Sequence, residues 1–576
     1  MQASKLMSPV PVECFPYGVE PQTGVCLGLR LGPYRILLDC GLADISGLQA
    51  DELQSDAVVE HPSEQQPADF VVCSQAHADH VRGLGALRQS FPKMPIYTSL
   101  ETQQILSHLE TDQWASECTP IAWNTPFNLT SDLTLELIPA GQMPGAAVCL
   151  LTYTVMVEAE IGEVYTVAYT GDFYLTHTRF APALSTASFK DRRIDLLLLK
   201  GGYGTLQHPP RKQQESELVQ ALLQALAAQQ SIVIPVPQVG LGQELLMLFR
   251  TNAELARQKV TVWVDETVAQ GCDAYGQILT SLPASIQNFA RQQSLFWQAS
   301  GRLQIQPLEA MTQLPCILLV RHQTELGQYV QALGDQVLVL DPIPPESPQA
   351  LREHPQDAKG DPVSLPASWQ RQTFLLAQAC DGPSTTQLIH NSRPRHVAFY
   401  HRSPLVVEDL MQTPDLQNRY QLHPLMLGER LEVGLAESAL LPQESLAPPL
   451  QTYRGELVES GLSATLSLGA DILEDPRWQT FADTGLIEAV WQGHQLVIRG
   501  LSQAEILRSS ASQHPMDRTC CANCHYYRNQ RCWQTESALY GFKVSPQGTC
   551  PVYAPIDDRS GVEPGSEDFD DEGVDV

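Results

Sequence analysis

The residues best suited to chemistry sit in one short run, Ser74-Gln75-Ala76-His77-Ala78-Asp79-His80, directly after the strand-like Phe70-Val71-Val72-Cys73. Two imidazoles and a carboxylate fall within four residues. At a strand-to-loop junction they make a compact set of N and O donors for zinc or a similar divalent metal, which takes such ligands in a tight shell. Single histidines elsewhere, such as His108, His177 and His494, read as structural side chains satisfied by neighbours.

A second group lies near the end of the chain. Of 14 cysteines, nine are scattered singly through the first 380 residues and five crowd between Cys520 and Cys550. In a reducing compartment the scattered ones behave as small hydrophobes, whereas the crowded ones have the spacing of metal ligands. Cys521-x2-Cys524-x7-Cys532-x17-Cys550 supplies four thiolates, with Cys520 or His525 able to replace one. Zinc and an iron–sulfur cluster both accept four thiolates, and the aromatic surroundings Tyr526, Tyr527, Trp533 and Tyr540 suit either. A zinc that staples a module too small to fold alone is the expected role.

Strands must carry the first group to one edge. Arg35-Ile-Leu-Leu-Asp39-Cys-Gly41, Val164-Tyr-Thr-Val-Ala-Tyr169 and Ile194-Asp-Leu-Leu-Leu-Leu199 are β-rich runs, and several end in Asp, Gly or His, where open α/β sheets place their sites. Leu218, Val219, Leu222, Leu223 and Leu226 fall on one helical face and Ser231-Ile-Val-Ile-Pro-Val236 reads as the strand after it, so 205–340 is α/β in texture. Seven prolines between Pro342 and Pro366 predict a stiff return linker, and His396-Val-Ala-Phe-Tyr400 a further strand ending at His401. After another proline-rich joint, Leu486–Arg499 reads as a hairpin turning at Gln492-Gly493.

The chain has 576 residues, 43% hydrophobic and 18% charged, which excludes disorder over most of its length. Net charge is −29, and the last 21 residues hold nine carboxylates against Arg559 alone. So acidic a surface repels polyanions at long range, and nucleic acid would need a locally basic groove or a metal. The longest uncharged stretch, Leu137–Val157, is broken by Pro139, Gly141, Gln142, Pro144 and Gly145, so no membrane span is expected. The first residues lack an apolar signal segment, which implies a cytoplasmic location.

With these residues in view, the chain resembles the metallo-β-lactamase superfamily, whose His-x-His-x-Asp-His loop is matched by Gln75 to His80 with Gln75 in the first histidine's place. Leu37-Leu38-Asp39-Cys40-Gly41 looks like its first motif and Tyr169-Thr170-Gly171-Asp172-Phe173 like the motif of the metal-bridging aspartate. Lys200-Gly-Gly-Tyr203-Gly204, Pro235-Val-Pro-Gln-Val-Gly240-Leu-Gly242-Gln243-Glu244 and Phe399-Tyr400-His401 resemble segments of its β-CASP branch, the nucleic-acid hydrolases that include ribonuclease J and the pre-mRNA 3′-end cleavage factors. The resemblance spans about residues 10–435. It implies an α/β fold, an αββα sandwich with an inserted β-CASP-like cap. The expected division is 1–204 core, 205–365 cap, 366–435 return of the core, 436–451 linker, 452–511 a small α+β unit, 512–555 the Cys-rich metal module and 556–576 a disordered acidic tail.

Mapped on the family's two-metal site, one ion would be held by Gln75, His77, Gln142 and Asp172, where two imidazoles have become amides, which are poor zinc ligands. The other would be held by Asp79, His80, Asp172 and His401, all present, with Asp79 as the catalytic carboxylate and Asp39 nearby. The branch's motif A acid aligns with Lys200, whose charge would stand in for a missing cation, and its proton-donating histidine aligns near Ala379. The resemblance thus implies a zinc or other divalent ion at the second site and an activity lost or altered, since water activation, charge clamping and leaving-group protonation each contribute factors of about 10²–10⁴. RNA, or a protein partner in an RNA-processing complex, is the expected ligand. An active metal-dependent ribonuclease and a mononuclear hydrolase of a small ester or thioester are the alternatives.

Overall fold

The computed structural model describes residues 11–20, 23–49, 66–110, 113–157, 160–190, 192–309, 311, 313–322, 324–343, 366–434, 455–460, 463–468, 487–492, 495–500, 524–528 and 531–532. Two compact units divide the chain, Met1–Ser445 and Leu446–Val576.

In the first unit two seven-stranded sheets stack face to face. One contains β1 (Pro11–Glu20), β2 (Gly24–Leu31), β3 (Tyr34–Leu38), β4 (Phe70–Val72), β5 (Ile96–Ser99), β6 (Thr119–Ile121) and, from far along the chain, β20 (Leu431–Gly434). The other contains β7 (Phe127–Asn128), β8 (Leu133–Pro139), β9 (Ala147–Val157), β10 (Glu160–Tyr169), β11 (Leu196–Lys200), β18 (His396–Tyr400) and β19 (Gln421–Pro424). Alternate residues of the central strands meet between the sheets: Leu27, Leu29, Ile36 and Leu38 from one, Leu135, Leu151, Val167 and Leu198 from the other, all fully buried. The opposite faces pack on helices such as Leu100–Leu109 and Gly382–Ser392, whose apolar stripes join the larger core. The αββα sandwich is therefore present.

Between β11 and β18 the chain builds a third sheet of β12 (Ser231–Val236), β13 (Val260–Val264), β14 (Leu303–Pro307), β15 (Ile317–Arg321), β16 (Val337–Pro342) and β17 (Gln370–Phe374). Its order is β14-β13-β15-β12-β16-β17 and every pairing is parallel. The helix expected from Leu218 to Leu226 runs over Arg211–Ala227 and buries Leu218, Val219, Leu222 and Leu226. The inserted sheet extends past the boundary expected at 365. Residues 370–374 pair with β16 as an edge strand before the chain re-enters the core, because an unpaired β16 would expose its ladder groups.

In the second unit the described strands form antiparallel hairpins, Gly455–Ser460 with Ser463–Leu468 and Ile487–Gln492 with Gln495–Gly500, the latter flanking the expected turn. A short ladder joins Tyr527–Arg528 to Arg531–Cys532. The linker at 436–451, the tail at 556–576, Cys521 and Cys550 lie outside the described residues. Among the described residues no helix is long and apolar enough to cross a membrane.

Candidate metal-loop site

Five strand ends converge at one edge of the sandwich. Asp39 follows β3, Ser74 and Gln75 follow β4, Asp172 follows β10, Lys200 ends β11 and His401 follows β18, so carboxyl ends of parallel strands present the polar groups, as in other open α/β sheets. The metal-loop residues enter a single helical turn, Ala78–Val81. Gly41 is required beneath it, since a Cβ there would overlap the carbonyl oxygen of Asp79.

Asp39 organises the floor. It is fully buried in the left-handed backbone region at φ 61°, costly for a non-glycine residue, and its carboxylate holds that conformation in place. The carboxylate accepts from the Ser74 amide at 2.6 Å, the Ser74 hydroxyl at 2.7 Å and the Tyr169 hydroxyl at 2.6 Å. It also faces His80 Nδ1 at 2.6 Å. That last contact fixes the ring so that Nε2 points at Asp172 Oδ2, 3.1 Å away.

One ligand atom each from Asp79, His80 and Asp172 lie within 4.8 Å of one another, all buried, and this is the described group with metal-ligand character. The other expected ligands stand differently. His77 is turned onto Asp79 Oδ1 rather than toward Asp172. Gln75 Nε2 donates to Asp172 Oδ2 at 2.9 Å, so the amide that replaces a histidine serves the aspartate as a donor. The carbonyl oxygens of Gln75 and Gln142 are buried without a hydrogen-bond partner. His401 Nδ1 accepts from the Ser403 amide at 2.9 Å, and since an amide only donates, neutral His401 carries its proton on Nε2, the nitrogen a metal would need bare.

Lys200 is the residue whose position changes the reading. Its Nζ lies 2.7 Å from Asp172 Oδ1 and 3.8 Å from Asp79 Oδ2, between the two carboxylates of the half that the sequence leaves intact. The ammonium therefore stands within the half whose expected ligands are all present in the sequence. Two further nitrogens, from Gln75 and His80, also reach Asp172.

Electrostatics agree. Burial pulls the His80 imidazole toward neutrality, but Asp79, Asp39 and Asp172 outweigh it and push its pKa up to about 10. For His77 burial acts the same way and Asp79 overrides it, raising the pKa. Burial disfavours the charge on Asp172, yet Lys200 and His80 hold its carboxyl below the usual range. The same opposition from His77, His80 and Lys200 holds Asp79 well below it. Three carboxylates (Asp39, Asp79, Asp172) thus face three nitrogen groups (His77, His80, Lys200) placed to offset their charge. A divalent ion fits only if the Lys200 ammonium leaves and protons come off the imidazoles.

A cleft of about 560 Å³ opens beside this cluster, between the metal loop and the carboxyl edge of the inserted sheet. His77, Arg82, Arg321 and His322 line it together with Glu110 and the turn Pro237-Gln238-Val239. The two parts are bolted together by the buried Glu244 and three half-buried ions whose sequence positions offer no reason to connect them. Glu244 Oε1 accepts from the amides of Arg179 at 2.9 Å and Phe180 at 3.2 Å, in the loop that follows Asp172. Arg179 is bidentate to Glu215 at 2.6 and 2.9 Å, and Arg211 lies 3.3 Å from both Glu215 and Glu244.

A family model described as the beta-lactamase superfamily domain matches residues 34–236. The chain belongs to the metallo-β-lactamase superfamily, in its β-CASP branch. Over nearly its whole length it is similar to the uncharacterized protein sll0514 of Synechocystis, 37% identical over 95% of this chain and 97% of that one. The probable RNase MJ4 of Methanocaldococcus jannaschii is 27% identical over 39% of this chain and 53% of its own length. The transcription termination factor FttA of Methanothermobacter thermautotrophicus is 28% identical over 39% and 37%. The chain thus spans about half or less of these two characterised relatives, and it is related to RNA-processing nucleases.

Proposed function

We propose that this chain is a non-hydrolytic β-CASP protein, descended from RNA-processing nucleases, that acts by binding in the cleft between core and cap. One observation carries the reading: the Lys200 ammonium stands between Asp172 and Asp79, where hydrolysis needs a metal-held water. The pairing of each carboxylate with a nitrogen group supports it, as do the two amides in place of histidines. The cleft, lined by Arg82 and Arg321 together with Glu110, is where a chain of net charge −29 offers arginines to RNA or an acidic partner. The same proposal places the protein in the cytoplasm, with Cys521, Cys524, Cys532 and Cys550 holding a structural zinc in the second unit; Cys524 is buried.

The test uses the full chain, treated with chelator and then given zinc or manganese. Single-stranded RNA should be bound in a fluorescence-anisotropy titration but left uncut on a denaturing gel, and elemental analysis should find no more metal than the cysteine module accounts for. Robust metal-dependent cleavage would overturn the reading. A mononuclear hydrolase is the second reading, favoured by the 4.8 Å grouping of Asp79, His80 and Asp172. Metal-dependent turnover of an aryl ester without RNA cleavage would select it.

A further inference from the structure

The inserted sheet sends its chain to opposite faces from two neighbouring strands. β12 and β15 are parallel partners, with Val236 opposite Arg321. The helix after β12, Leu241–Thr251, buries Leu245, Leu246 and Phe249 on the face that carries Ile232, Ile234 and Val236. The short helices after β15, Leu326–Tyr329 and Val330–Leu333, bury Leu326 and Leu333 on the other face, with Val233, Leu318 and Val320. Where adjacent parallel strands part in this way their carboxyl ends leave a crevice, and doubly wound sheets take their ligands there. The cleft of about 560 Å³ opens at this crevice, with Pro237, Gln238 and Val239 leaving β12 on one side and His322 following Arg321 out of β15 on the other.

Strand ends hold the crevice in shape. Asp265, which follows β13, accepts the Arg321 amide at 2.7 Å, and the His322 amide donates to the Val236 carbonyl at 3.0 Å. Gly242 lets the helix start close against β12, since a Cβ there would lie 3.2 Å from Val236 Cγ2 and 3.1 Å from Val268 Cγ1. Arg321 is thus placed by the inserted sheet itself and not by the metal loop. The lining has two characters. Val81, Leu106, Leu109 and Val239 are apolar, whereas Arg82 from the core and Arg321 from the cap bring guanidinium groups, with Glu110 a carboxylate among them. Guanidinium forks match phosphate oxygens, and the volume falls within the roughly 300–1,000 Å³ of small-molecule sites. A flat apolar body carrying one phosphate meets both characters.

We infer that this crevice is a site for a free nucleoside monophosphate, its phosphate on Arg321 and Arg82 and its base against Leu109 and Val239. The inference rests on the reading that the cleft binds without cutting, and it adds a regulation: the nucleotide and RNA exclude one another from the same space.

The test is an anisotropy titration of the full chain with fluorescently labelled adenosine and uridine monophosphates in turn. Saturable binding of at least one is expected, displaced by the unlabelled nucleotide and not by the same concentration of inorganic phosphate or ribose 5-phosphate. Arg321→Met should weaken it about tenfold and Leu109→Gln about threefold, whereas Glu110→Gln should tighten it about threefold, a gain that damage to the fold does not produce. Leu405→Ala, a 63% exposed residue outside the lining, should leave it unchanged. Bound single-stranded RNA should be released by the unlabelled nucleotide. A chain that binds RNA but neither nucleotide overturns the inference and leaves the reading of the cleft standing, and a chain that binds none of them overturns both. Nucleotide binding indifferent to Arg321→Met and Glu110→Gln also overturns it. So does equal displacement by ribose 5-phosphate, which would show that no base is held.

Discussion

Two charge clusters of the first unit, one buried and one half-buried around Glu244, are built from different materials. The cluster at the metal loop sets Asp39, Asp79 and Asp172 against two imidazoles and one ammonium. The cluster that bolts the core loop to the inserted sheet sets Glu215 and Glu244 against Arg179 and Arg211. Guanidinium groups stay charged at every accessible pH and grip carboxylates with planar forks, so the bolt is permanent. Imidazoles release protons and an ammonium is a movable point charge, so the loop cluster can be re-equipped. One cluster can exchange its cations and the other cannot, which teaches that the cleft's geometry is held by groups independent of the chemistry beside it.

The comparison can be broken most severely at the bolt. Glu244→Ala leaves two loop amides without their acceptor and removes one of the two carboxylates that Arg179 and Arg211 share, and should destabilise the first unit by about 3–5 kcal/mol, read as an earlier urea midpoint of far-UV circular dichroism in the full chain. An unchanged midpoint would mean that the bolt carries no load.

Lys200→Met tests the other cluster and should lower stability in chelator by about 3 kcal/mol, because three buried carboxylates then have only the two imidazoles to face. Unlike the bolt variant, it should be rescued: zinc or manganese should raise its thermal midpoint by several degrees and leave that of the unmodified chain nearly unmoved. If both proteins respond alike, Lys200 does not occupy the ion's place.

Alkaline titration sharpens the difference. His80 has its pKa raised from 6.5 to about 10, so its contribution is fully present below about pH 6.5 and is lost as pH rises through about 10, on the order of several kcal/mol at most. Thermal midpoints measured from pH 7 to 10 should therefore fall, and Glu244→Ala should show the same slope as the unmodified chain. A slope that vanishes in the bolt variant would assign the titration to the wrong cluster. The smallest effect is expected for Glu215→Gln, about 1 kcal/mol, since Glu215 is half-buried and its loss leaves Glu244 in place.

The frame of this site was legible in the sequence because strands that end in Asp, Gly or His announce a strand edge, and the spacing from His77 to His80 announces ligands. Lys200 was visible as a cation where the family has an acid. That it enters the intact half depended on side-chain direction at the end of β11, which composition does not encode. His77 turning onto Asp79 and His401 accepting from Ser403 are likewise matters of rotamer and tautomer. The Tyr169 hydroxyl reaches Asp39 across 130 positions, and Glu244 reaches Arg179 across 65, distances over which only the folded sheets establish contact.

The inserted sheet has a consequence for the order in which the molecule assembles. β11 and β18 are hydrogen-bonded neighbours, Leu196 opposite His396, with the whole insertion between them. Every pairing of the inserted sheet closes over far shorter stretches, and loop-closure entropy favours those first. On a ribosome releasing the chain from its amino end, the inserted sheet is complete before β18 exists. Lys200 meets Asp172 through the pairing of β10 with β11, both made before the insertion, so of the groups at this edge His401 alone waits for β18 to dock.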